Sequence, residues 1–253
     1  MAPRSIWNGT IAFGLVNVPI KLFTATESHT ISFHEVHVRD GAKTEHRRIC
    51  PKDDKEVDYK DVVKGFEVSE EKYVVLEDEE LKAAAGSRGK VIWLEEFVDV
   101  AEVDPVVFDK SYYVGARDEP GAYRLLRDAL KRSGRAGIGR FTFHDREYLV
   151  SVRAYDDVMA MHTMRFADEL VDPSDLDIDR ASKKPSDREI QMAGRLVDSL
   201  YTGFSPADHE DSYRDAVLDL VKRKAKGEEI DLAAEEEPEH GDDLAAALEA
   251  SLG

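Results

Sequence analysis

Apolar and polar side chains alternate from the start of the chain. Ile11, Phe13 and Leu15 fall on odd positions, then Val16, Val18, Ile20 and Leu22 on even ones. A half-buried strand keeps one parity inward, so the slip beside Gly14 predicts a bulge or bend between two strand segments. Further strand-like stretches are Phe66–Val68, Tyr73–Val75, Val91–Leu94, Val98–Val100, Ser111–Val114, Phe141–Phe143 and Tyr148–Val152, the last entered through a turn at Asp145-Arg146. Many short strands separated by turn residues predict a barrel or a sandwich. One helix interrupts them: Leu125, Leu126, Ala129 and Leu130 recur at helical spacing between Pro120-Gly121 and Ser133-Gly134.

The pattern changes near Pro173. Ser186 and Glu189 form a capping-box signal, followed by an apolar stripe of Ile190, Ala193, Leu196, Val197 and Leu200 that ends at Gly203. A second helix is predicted from about Pro206 to Gly227, with Tyr213, Ala216, Val217, Leu220 and Val221 along one side. Two amphipathic helices after a β domain need a surface to cover, either in their own domain or on a partner subunit. Periodicity does not choose between these.

Residues 33–48 break the pattern of buried faces. Asp40-Gly41 reads as a tight hairpin turn, and pairing Arg39 with Ala42 sets the register. One face then carries His34, Val36 and Val38 opposite Lys43, Glu45 and Arg47. The other carries Glu35, His37 and Arg39 opposite Ala42, Thr44, His46 and Arg48. Neither face is apolar enough to bury, so the ribbon either projects idly into solvent or lies along a polar partner. Its cations suit phosphates.

Charge at first argues against that partner. The chain of 253 residues has 35 basic and 53 acidic side chains and a formal net charge of −18. A polyanion, however, feels the field within about 10 Å and not the sum. Residues 228–253 hold ten acidic and no basic side chains, more than half of the net charge. Residues 117–153 hold nine basic and five acidic side chains, and residues 1–50 hold six basic and four acidic. Locally basic surface is therefore compatible with the total. The apolar runs are far shorter than the roughly 20 residues a membrane helix needs, and no apolar signal-peptide segment follows Arg4. The single cysteine, Cys50, suits a reducing compartment, and the expectation is a cytosolic protein.

Motifs for chemistry are missing. The sequence has no phosphate-binding GxxxxGK[ST] loop, GxSxG elbow, HExxH, GxGxxG or EF-hand loop. His34 and His37 alternate onto opposite ribbon faces, and Cys50 has no second thiol nearby, so no metal site is expected. No cofactor is expected either. A nuclease would need a carboxylate–metal cluster that the sequence does not offer.

The segment Arg4-Ser-Ile-Trp-Asn-Gly-Thr-Ile-Ala-Phe-Gly-Leu-Val-Asn-Val-Pro-Ile-Lys-Leu-Phe-Thr-Ala-Thr-Glu27 closely resembles the N-terminus of the bacterial Ku proteins, homodimeric DNA-end-binding factors of non-homologous end joining. The resemblance continues through Ser32-Phe33-His34, Arg47-Arg48-Ile49-Cys50, Val62-Val63-Lys64-Gly65-Phe66-Glu67 and Met164-Arg165-Phe166-Ala167-Asp168-Glu169, and extends to about Gly227. It implies an α+β chain that is not an enzyme. Residues 1–172 would form a β-barrel core with a bridging arm at about 31–66, and residues 173–227 a helical arm that contacts the partner subunit. Two copies would enclose a ring through which a duplex end is threaded.

Carried onto this sequence, the DNA-binding candidates are Arg39, Lys43, Arg47, Arg48 and Lys52 of the bridge, with Lys21, Arg135 and Arg140 from the barrel. Dimer-contact candidates are Ile190, Leu196, Val197, Leu200, Tyr213, Val217 and Leu220. Two departures matter. Many relatives have a second cysteine where this chain has Asp53, and some have a lysine-rich extension where this chain has an acidic tail. In that tail Leu244, Leu248 and Leu252 recur at i, i+4 and i+8. Ten residues are too short to be helical alone, so the expected use is folding into a groove on a partner, the family's usual one being an ATP-dependent end-joining DNA ligase. The competing class is a structural or adaptor homodimer that does not bind DNA.

Overall fold

The computed structural model describes residues 3–84, 90–118, 120–143, 146–176 and 184–229. The chain divides into two compact units, one of residues 1–29 and 33–175, the other of residues 30–32 and 176–253.

The first unit is built on a closed barrel of seven strands. These are β1 (Trp7–Phe13), β2 (Val16–Thr24), β7 (Val91–Asp99), β8 (Phe108–Ala116), β9 (Arg135–Phe143), β10 (Arg146–Tyr155) and β11 (Val158–Met164). Around the barrel the order is β1-β2-β8-β11-β10-β9-β7 and back to β1. Only the closing β1–β7 pair is parallel. Between β2 and β7 run two short hairpins, β3 (Ile49–Cys50) with β4 (Lys55–Glu56) and β5 (Lys64–Ser69) with β6 (Lys72–Leu76), and then a two-turn helix, α1 (Asp78–Ala84). The expectation of an α+β chain with a β-barrel core holds.

Period-two patterning explains the interior. On β2, Val18, Ile20 and Leu22 point inward and are essentially inaccessible, joined by Ile11, Ile92, Val114, Val150, Val152, Met159 and Met161 from the other strands. At one end Trp7 packs edge-on against Phe141, with ring centroids 5.0 Å apart, and Phe141 stacks on Phe143. The other end is closed by α2 (Pro120–Ser133), which buries Tyr123, Leu126 and Leu130. Leu125, read from the sequence as part of the inward stripe, lies on the outer edge and is 66% exposed.

The parity slip at Gly14 is a full reversal of the chain and not a bulge. Phe13 pairs with Val16, leaving a two-residue loop in which Gly14 has φ +55°, a value L side chains rarely adopt. The bulge occurs elsewhere: the two stretches read as Val91–Leu94 and Val98–Val100 are one strand, β7, whose register against β9 shifts between Leu94 and Glu96. Sequence reading also missed β11 and the glycine-containing start of β9.

The second unit holds α3 (Asp187–Ser199) and α4 (Ser212–Ala225). The capping box is present at α3: the Ser186 hydroxyl accepts from Glu189 N, and the Glu189 carboxylate accepts from Ser186 N at 2.6 Å. The second helix starts later than predicted. Pro206–Asp208 form a separate 3-10 turn, and α4 begins after Asp211, whose carboxylate accepts from Arg214 N at 2.9 Å. No residue of 184–229 is buried.

Candidate nucleic-acid interface

Between residues 33 and 75 only Cys50 and Val57 are even partly buried. This segment has turns and short hairpins but no core of its own. Its first ribbon is held by His37 N donating to Ala42 O and Gly41 N donating to His37 O, both at 2.8 Å, and by Thr44 N donating to Glu35 O at 3.0 Å. Val36 therefore faces Lys43, two residues away from the register expected from a two-residue turn. The cause is the Asp40 carboxylate, which accepts from Ala42 N at 3.0 Å and contacts His37 Nδ1 at 3.1 Å, wrapping a wider loop in which Gly41 has φ +68°. Those hydrogen bonds hold the Asp40 carboxyl below the usual carboxylate range. Because the shift is even, the assignment of side chains to faces is unchanged.

The β3–β4 hairpin follows directly. Ile49 pairs with Glu56, and Val57 N donates to Arg48 O at 2.8 Å, which extends the ladder by one residue. Hydrogen bonds from Lys55 and the Cys50 thiol draw the Asp53 carboxyl down, so this hairpin turn holds an anion. Among the described residues no group of three or more His, Cys, Asp or Glu is placed to hold a metal ion.

His46, Arg47, Arg48, Glu56, Val57, Asp58 and Tyr59 line a concavity of about 340 Å³ beside this hairpin. Arg47 Nη1 donates to the Glu56 carboxylate at 3.3 Å. The Arg48 guanidinium lies over the Tyr59 ring, 4.9 Å from its centroid, which leaves its N–H edge available. Arg39, Lys43, Arg48 and Lys52 are exposed and make no ion pair with another described residue. Tyr59 and Glu56 were not singled out from the sequence. An aromatic residue downstream of the Arg47-Arg48 pair is a sequence signal for Tyr59 alone, while Glu56 is brought to Arg47 by the β3–β4 register.

The barrel candidates are not gathered with the arm. Lys21 sits half-buried on β2, paired with Asn8 and Gly115, while Arg135 and Arg140 lie on β9. Arg135 contacts Asp99 at 3.4 Å. Arg140 is bound twice, to Glu147 at 2.9 Å and Glu95 at 3.4 Å, and these carboxylates push its guanidinium further up. On α2, Arg127 and Lys131 donate to the backbone oxygens of Asp157 and Asp156 at 2.8 and 3.4 Å, which ties the helix to the β10–β11 turn.

The dimer-contact candidates lie on α3 and α4. Ile190, Val197, Leu200 and Tyr213 are more than half exposed, and Leu196, Val217 and Leu220 are partly covered. Leu244, Leu248 and Leu252 lie outside the described residues.

Residues 12–192 match the family model described as the Ku70/Ku80 beta-barrel domain. Across 98% of its length the chain is similar to the non-homologous end joining protein Ku of Anaeromyxobacter sp. (strain K), with 42% identity over 252 residues and 85% of that protein covered. The protein of the same name from Bacillus subtilis (strain 168) is 35% identical, with 98% of this chain and 81% of that one covered. That from Mycobacterium tuberculosis (strain ATCC 25618 / H37Rv) is also 35% identical, with 98% and 94% covered. The domain match runs from the end of β1 through the other six barrel strands and the arm to the start of α3, and the relatives extend the likeness over almost the full chain: this chain belongs to the Ku family.

Proposed function

We propose that this protein binds the ends of double-stranded DNA without regard to base sequence, as a ring-shaped homodimer acting in non-homologous end joining. The observation that carries the reading is the segment of residues 33–75, which lacks a buried core and holds Arg39, Lys43, Arg48 and Lys52 exposed and without an ion-pair partner among the described residues. Such a segment gains its stabilisation from a partner, and a phosphate backbone matches its cations. Binding of this kind reads shape and charge and makes or breaks no covalent bond. Phosphate contacts come from the arm, with Lys21, Arg135 and Arg140 secondary.

The apolar surfaces call for protein, not DNA. Phe66, Val68, Tyr73 and Val75 of the β5–β6 hairpin are more than half exposed, and a lone two-stranded hairpin is marginal in water. Together with the open faces of α3 and α4, they supply a second copy of the chain with surface to cover. The acidic residues 228–253 repel phosphate, so in this reading they face a protein, the ATP-dependent end-joining ligase. No described helix is long and apolar enough to cross a membrane.

A mobility-shift comparison tests the end-binding reading. The protein should bind a linear duplex and release it steeply as salt rises, while a closed circle of the same sequence competes poorly. Equal binding to both forms would refute threading, and absence of binding at low salt would favour the adaptor homodimer.

A further inference from the structure

We propose that Glu56 is a built-in competitor for Arg47, so that the arm engages DNA by exchanging a carboxylate for a phosphate. This rests on the end-binding reading and adds a residue that the reading does not use. The concavity beside β3–β4 holds two guanidiniums, Arg47 and Arg48, and two carboxylates, Glu56 and Asp58, with His46 at its edge. Each group has a definite partner. His46 Nε2 stands 3.4 Å from Glu35, and Asp58 stands 3.3 Å from Lys60. Arg48 lies over the Tyr59 ring, so of the two arginines only Arg47 already carries an anion.

The register explains why. Ile49 pairs with Glu56, which sets Glu56 diagonally across the ladder from Arg47 on the same side of the hairpin. Both side chains are more than half exposed, so their ion pair is weak enough to be exchanged. A phosphate that takes Arg47 leaves Glu56 a few ångströms away as a like charge. In a water-like dielectric that repulsion, with the lost pair, lowers affinity by about three- to ten-fold. It also flattens the salt dependence. An arginine that neutralises a duplex phosphate contributes about −0.9 to the slope of log K against log salt, but a freed carboxylate takes a cation back up and cancels that contribution. A ring moving inward from an end would thus return Arg47 to Glu56 between phosphates instead of leaving it uncompensated.

The test uses the full-length protein and a fluorescein-labelled linear duplex, with anisotropy measured across a salt series. Glu56→Gln is expected to tighten binding about three- to ten-fold and to steepen the slope by about 0.9. In an Arg47→Ala background the same change is expected to do neither. Asp53→Asn is the control, since Asp53 pairs with Lys55 at 3.2 Å on the same hairpin, removes the same charge and does not line the concavity. It should leave affinity and slope near those of the parent, and circular dichroism should show all variants folded. Equal tightening by Asp53→Asn would assign the effect to bulk charge and overturn the proposal. Parental affinity and slope for Glu56→Gln, with linear duplex still bound, would overturn it while the end-binding reading stands. Failure of the parent to bind linear duplex would overturn both.

Discussion

Tyr123→Phe removes one oxygen atom from the place where α2 closes the barrel. The Tyr123 hydroxyl donates to Val114 O at 2.5 Å and accepts from Met159 N at 3.0 Å. Val114 and Met159 are register partners of β8 and β11, and both are fully buried, so the hydroxyl bridges two groups of the strand ladder from which water is excluded. Burial pushes the pKa of this phenol up, which keeps its proton in place at neutral pH. Phenylalanine preserves the apolar contacts but leaves one buried N–H and one buried C=O without that partner. An orphaned buried group costs about 1–3 kcal/mol and a lost hydrogen bond about 1 kcal/mol, so the expected loss is about 2–4 kcal/mol. For a unit of this size that lowers Tm by about 5–12 °C, measured by calorimetry at pH 7. Tyr113→Phe is the control, because its side chain points outward and its hydroxyl makes no hydrogen bond among the described residues; it should shift Tm by less than about 2 °C. A Tyr123→Phe shift no larger than that would refute the bridging role.

Further outcomes follow from the same contacts. Replacing Arg47 and Arg48 together with Ala is expected to weaken linear-duplex binding about ten-fold or more and to reduce the salt slope, with the molecular mass in light scattering the same as that of the parent. Arg140→Ala should cost less DNA affinity, since Arg140 is already committed to Glu147 and Glu95; a larger effect than the arm pair would move the interface onto the barrel. His162 is held neutral by burial and by Arg153, whose Nε donates to its Nε2 at 3.2 Å, so its proton sits on Nδ1 facing Ser111 Oγ at 2.9 Å. Its folded-state pKa lies below the unfolded value, so its stabilising contribution is present above about pH 6.5 and is lost as pH falls. His162→Gln should therefore flatten the decline of Tm between about pH 7 and 5, and an unchanged profile would rule out this residue as the cause.

Legibility in the sequence followed physical locality. The strands with strict alternation, the α2 stripe and the Ser186–Glu189 capping box were readable because each depends on neighbours within a turn or two. β11 was not, because Met-Ala-Met-His lacks β-branched side chains and Ala160 is covered by its neighbours across the sheet instead of by its own apolar character. The hairpin at Asp40-Gly41 was placed correctly but two residues out of register, since the Asp40 carboxylate captures Ala42 N and widens the loop. In the candidate interface the cations were visible as residue types. Whether each was free or already paired was not: Arg47 and Arg140 have carboxylate partners brought in by strand pairing, and Arg48 has an aromatic one.

By itself the sequence determined which segments could be buried. Residues 33–48 offer no apolar face in any register, and the acid-rich residues 228–253 account for most of the net charge. Tertiary structure alone decided that the strands close into a barrel, because closure depends on the parallel β1–β7 pairing of residues some eighty positions apart, which no local pattern encodes. It also decided the electrostatics of the arm, because a charge acts through what stands within a few ångströms of it, and for Arg47 that neighbour is Glu56 across a hairpin.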